Sequence, residues 1–227
     1  MSRRAGAQLL AAAGLLGACL GLWASMRTGR ELPGDLRAIT TARANPPRGA
    51  YSELLALVGT VGTALVALLT VATATIIVAR SIGLRAAALV AGAAAGAVIN
   101  DGLRALLEPT PVALLAFGPT VDSYPSGHVV YAVTVFGALA WLAWHHGRRD
   151  VSVVLLVLIA AMGPARVLTG SHLPSDVLGA YALGGAWLLV VLAAHGSGSG
   201  PHVRASRHRA TCSTVDPSLL RSEAETT

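Results

Sequence analysis

Two short stretches hold the side chains of this chain best suited to chemistry. The first is Pro125-Ser126-Gly127-His128, set directly against an apolar run. The second, "ARVLTGSHLPSD" over 165–176, carries Arg166, His172 and Asp176 in the spacing R-x5-H-x3-D. A guanidinium is a planar fork matched to phosphate oxygens. Ser126, Gly127 and His128 stand where a helix is expected to begin, so their backbone N–H groups are available to an anion. Gly127 has no side chain and lets that anion approach the main chain. A neutral, well-aimed histidine can attack phosphorus. Asp176, four residues beyond His172, can accept the other ring N–H and fix the tautomer. His128 can then protonate a leaving oxygen. Together these groups form a candidate phosphoryl-transfer site.

Each piece also has an ordinary role. Pro-Ser-Gly is common helix-entry chemistry, a lone interfacial histidine is often solvated, and Asp176 can cap the helix after it. Arg166 resists that treatment. It falls about 15 residues into an apolar segment, and an arginine at the centre of a spanning helix costs about 2.5–3.5 kcal/mol, less toward the edge. Such a residue faces a bundle interior or a wet cavity. Gly163-Pro164, just before it, is expected to bend or open the helix. Asp101 and Arg104 raise the same question in another apolar segment, where pairing across one turn is the simplest alternative.

The elements that must position these groups follow from composition. Of 227 residues, 54% are hydrophobic and only 12% charged, against roughly 25% charged in soluble domains. Lipid is therefore the expected solvent. The net charge of +6 comes from arginines scattered over loops between apolar segments, with few aromatics. That pattern orients a membrane protein and does not suggest nucleic-acid binding. Cys19 and Cys212 lie in an apolar segment and a polar tail, and make a poor disulfide pair.

A spanning helix needs about 20 mostly apolar residues. Six candidates lie near 6–26, 53–79, 84–106, 127–145, 151–171 and 176–195. The fold class expected is an all-α, polytopic bundle of six transmembrane helices, with Ala and Gly allowing close packing. The organisation reads as a first helix over 1–26, an extracytoplasmic loop over 27–50, a five-helix core over 51–195 and a disordered cytoplasmic tail over 196–227. Arg3, Arg4 and "LLGAC" also resemble a signal segment. The apolar run continues through "LGLWASM", so a retained helix is the preferred reading. With the N-terminus inside, nine arginines (Arg3, Arg4, Arg80, Arg85, Arg148, Arg149, Arg204, Arg207, Arg209) lie inside and five (Arg27, Arg30, Arg37, Arg43, Arg48) outside. Both reactive stretches then fall on the outer face of the cell membrane.

These residues resemble the type-2 phosphatidic acid phosphatase family, relatives of the vanadium haloperoxidases. Its members carry K-x6-R-P, P-S-G-H and S-R-x5-H-x3-D. The second motif is intact at 125–128, and the third is present with Ala165 in place of its serine. The resemblance covers about residues 50–195. It implies His172 as a nucleophile forming a phosphohistidine, Asp176 as its partner and His128 as the acid. It implies Ser126, Gly127 and Arg166 as phosphate ligands, and neither metal nor other cofactor. In the first motif Glu108-Pro109 replaces Arg-Pro and Asp101 replaces the lysine, which leaves Arg104 as the candidate cation. Glu108 would repel a phosphate unless it pointed away or paired with an arginine.

The function expected is an integral membrane phosphatase, metal-independent, acting on a lipid phosphate or polyprenyl (di)phosphate. The departures in the first motif keep a second expectation open: an inactive protein that binds or moves lipid phosphates. A generic ion transporter fits less well, since the charged groups gather near one face.

Overall fold

The structure is a computed structural model and describes residues 3–30, 32–118 and 123–197. Among the described residues there are nine helices and no strand: α1 (Arg3–Arg27), α2 (Asp35–Ala44), α3 (Ala50–Val61), α4 (Ala64–Ser81), α5 (Leu84–Leu106), α6 (Pro111–Phe117), α7 (Gly127–His145), α8 (Arg149–Leu168) and α9 (Pro174–Ser197). Six of them, α1, α4, α5, α7, α8 and α9, are long and apolar enough to cross a membrane. The expected all-α bundle of six spans is what the chain forms.

Burial ranks the spans. Within its most apolar window α7 is 67% buried and α4 only 6%. So α7 is the axis of the bundle and α4 its outer wall. The side chains α4 and α8 leave exposed include Leu65, Leu68, Ile76, Val153 and Val157. An apolar exterior of this kind is suited to lipid and not to water. α7 packs against α5, α8 and α9, while α1 lies along α9 and α4 along α5. Two close approaches set the depth of the α7–α9 contact: Val133 against Gly184 and Leu188 against Gly137. α7 also contains a π-helical turn, Ala132–Phe136, shortly after His128.

Several expectations are corrected. The single span over 53–79 is two helices, with Gly62 closing α3 and Thr63 opening α4. The physical reason lies across the bundle: Gly62 abuts the His128 ring, and a Cβ at that position would overlap it. α4 alone, with 18 residues, covers about 27 Å, so α3 is free to pack beside α8. The two loops, 27–50 and 107–126, contain α2 and α6. Their turn residues act as helix caps; the Thr110 hydroxyl, for example, accepts from the Ala113 N–H, with Pro111 in the first turn.

α8 does not open at Gly163-Pro164. Proline removes the N–H that the Ala160 carbonyl would have used. The Tyr181 hydroxyl, from α9, stands 2.8 Å from the Ile159 carbonyl and 3.3 Å from that of Ala160. α1 forms a wall of the core, with Cys19 and Met26 fully buried. Of the expected tail, residues 198–227 lie outside the described residues.

Candidate active site

The spacing R-x5-H is the length of a helix stop. α8 ends at Leu168, and Gly170 adopts φ 67°, the left-handed conformation open to glycine. Gly170 N–H donates to the Val167 carbonyl at 2.9 Å and Ser171 N–H to the Arg166 carbonyl at 3.1 Å. This pair of bonds is a Schellman motif. His172 N–H reaches the same Arg166 carbonyl at 3.2 Å. The turn thus returns His172 to the level of Arg166.

The spacing H-x3-D is the length of a helix start. Asp176 is the third residue of α9, and its Oδ2 accepts from the Leu173 N–H at 3.0 Å, which is half of a capping box. The same Oδ2 lies 3.5 Å from His172 Nδ1. The carboxylate that caps the helix is thus also the one nearest the imidazole, close to it without a hydrogen bond among the described residues. A second carboxylate, Asp35 of α2, accepts from the Ser175 N–H at 3.0 Å and docks the outer loop onto the same helix end.

Pro125-Ser126-Gly127-His128 meets this turn through the main chain. Ser126 N–H donates to the Asp176 carbonyl at 3.2 Å. Ser126 caps α7 by position, yet its hydroxyl is fully buried and has no hydrogen bond among the described residues. The first N–H groups of α7 have no intrahelical acceptor, as at any helix start. The His128 ring lies on Gly62 and is within electrostatic range of Arg166, His172 and Arg104. Arg166 Nη1 lies 3.3 Å from the point a Cβ on Gly59 would occupy. From α5, Asn100 Nδ2 and Arg104 Nη1 lie 3.4 and 4.0 Å from the corresponding point on Gly127.

All seven residues singled out in the sequence, Ser126, Gly127, His128, Arg166, His172, Asp176 and Arg104, thus gather at one end of the bundle. Asp101 lines a cavity there together with Arg104, Gly127 and His128. Glu108 does not take part: its carboxylate pairs with Arg27, and the Trp23 indole donates to its carbonyl at 3.0 Å. The acidic replacement in the first motif is turned toward α1.

Sequence reasoning missed Gly59, Gly62, Asn100, Asp35 and Tyr124. The G-x-x-G spacing at 59–62 was the only local signal for any of them. The Tyr124 hydroxyl donates to the Cys19 carbonyl at 2.6 Å, and burial raises its pKa above the ordinary phenol range, so it stays a donor. Among the described residues no group of three or more His, Cys, Asp or Glu side chains converges as metal ligands do.

A cavity of about 420 Å³ opens beside His128. Its polar end is made by Asn100, Asp101, Arg104, Gly127 and His128, and its walls by Ala67, Leu68, Val71, Ala94 and Ala97.

Fold and site define a class: a multi-pass helical membrane protein with one histidine and two guanidiniums gathered around a second histidine at one end of the bundle. The family model of the PAP2 superfamily matches residues 38–197, and the chain belongs to that superfamily. Among solved structures it is similar to a transmembrane PAP2-type phosphatidylglycerolphosphate phosphatase from Bacillus subtilis. The two share 20% identity and a TM-score of 0.69, over 82% of this chain and 96% of the other. No curated protein matches the chain.

Proposed function

We propose that the protein hydrolyses a lipid phosphate, or a polyprenyl (di)phosphate, through a phosphohistidine intermediate. The cavity beside His128 supports a lipid substrate above all. It joins an anion-receptive end to an apolar wall, the shape an amphipathic phosphate requires.

In this reading Arg166, Arg104 and the first N–H groups of α7 hold the phosphoryl oxygens and offset the charge that develops on them. His172 Nδ1 faces Asp176, so Nε2 is the attacking atom. As the Nε2–P bond forms, the bond from phosphorus to the lipid oxygen breaks. His128 gives that oxygen a proton. Water, deprotonated by His128, then attacks the phosphohistidine, releasing inorganic phosphate and restoring His172. Cationic side chains and backbone donors supply the electrostatic stabilisation, so no metal is called for. The arginine balance across the loops supports a site on the extracytoplasmic face of the cell membrane.

The test is phosphate release by detergent-solubilised protein from a panel of lipid phosphates, with EDTA present. Release should survive EDTA and fall at least about a thousandfold in His172→Ala. Full activity in that variant would sink the mechanism. The other reading, an inactive lipid-phosphate binder, arose from the acidic residues of the first motif. The pairing of Glu108 with Arg27 and the nearness of Arg104 to Gly127 weaken it. It requires saturable binding without release from any lipid in the panel.

A further inference from the structure

Asn100 is 0% exposed, and neither its Oδ1 nor its Nδ2 has a hydrogen-bond partner among the described residues. A buried amide with both ends unmet is costly and uncommon. Its surroundings show what would satisfy it. Asn100 and Arg104 are one turn apart on α5, so they share a face. Both approach Gly127, with Nδ2 at 3.4 Å and Nη1 at 4.0 Å from where a Cβ would stand. Both also line the cavity that His128 closes. An oxygen resting over Gly127, in the room left by the missing side chain, comes within reach of the α7 N–H groups, the guanidinium and this amide at once.

We propose that Asn100 is a phosphate-binding residue whose side-chain amide donates to an oxygen of the phosphoryl group held over Gly127. The proposal rests on the reading of the site as a phosphate cradle. The amide adds a directed bond without adding charge. Substrate charge is then met by Arg104 and Arg166, while Asn100 fixes the rotation of the phosphoryl group relative to His172.

Orthovanadate, a tetrahedral phosphate analogue, probes the cradle without turnover. Its binding to the full-length protein in detergent is compared for wild type, Asn100→Asp and Asn100→Leu, with the thermal unfolding midpoint of each. Asp keeps the shape and sets a negative charge against the anion; Leu keeps the bulk and removes the donor. A direct donor gives the order wild type, then Leu, then Asp, with the Asp variant weaker by about tenfold or more. A residue that only fills space leaves the Leu variant, which keeps the bulk, binding within twofold of wild type. That result overturns the proposal, whatever the Asp variant does. If either change prevents folding, Asn100→Ser shortens the reach of the polar group. Weaker orthovanadate binding at an unchanged midpoint then supports the proposal, and unchanged binding overturns it. Failure of the underlying reading looks different: wild type itself then binds no orthovanadate.

Discussion

In the proposed mechanism one carboxylate at the start of α9 carries two duties, and substitution can separate them. Asp176 caps Leu173 and stands beside His172 Nδ1. Asn at 176 keeps an acceptor for the cap, so the unfolding free energy should fall by under about 1 kcal/mol. It removes the charge that steadies the imidazolium and allows the wrong tautomer, so kcat should drop by roughly three to four orders of magnitude. Steady-state kinetics beside a melting curve checks this; a change confined to stability would leave Asp176 a cap alone. Residues of this kind were readable from the chain, because caps and motifs are short-range patterns. Asn100 was not, because its meaning depends on Gly127 meeting it from another helix. Nothing in "NDGLRALLEPTPV" marks the first residue over its neighbour Asp101 as the one turned inward.

At the scale of elements, the third motif is a helix stop followed by a helix start, and that is why its spacing is rigid. The break between α3 and α4 is the opposite case. Residues 53–79 read as one apolar span, and hydropathy has no means of registering a gap of two residues. The gap exists because the His128 ring occupies the space over Gly62. Gly62→Ala should force that ring aside, and a displacement of about 1 Å at a reacting group costs roughly a hundredfold in rate. The expected result is a kcat loss of that order with KM little changed, measured on protein shown by circular dichroism to keep its helical content. Unaltered turnover would mean that α3 does not constrain the imidazole.

For the whole molecule, the testable statement is orientation. The ends of α1, α5 and α8 and the starts of α7 and α9 lie together with α2 and α6, while the 81–84 and 145–149 connections lie at the opposite end. If the arginine balance sets topology, a cysteine placed at Arg48 is labelled by an impermeant maleimide on intact cells, and one placed at Arg148 only after permeabilisation. The native Cys19 is buried and should stay silent. The reverse labelling pattern would move the site to the cytoplasmic face.

Solvent, span number and the side chains of the candidate site were all legible in the linear chain, for a physical reason. Transfer into lipid depends on the composition of about 20 consecutive residues, and capping depends on four or five. Rotation of each helix about its axis is another matter, since it comes from packing between segments far apart in the chain. Packing is what turns Asn100 and Arg104 toward Gly127, sends Glu108 to Arg27, joins Ser126 to Asp176 and breaks a predicted span to seat His128. Those contacts convert a list of plausible groups into one pocket, and no local pattern encodes them.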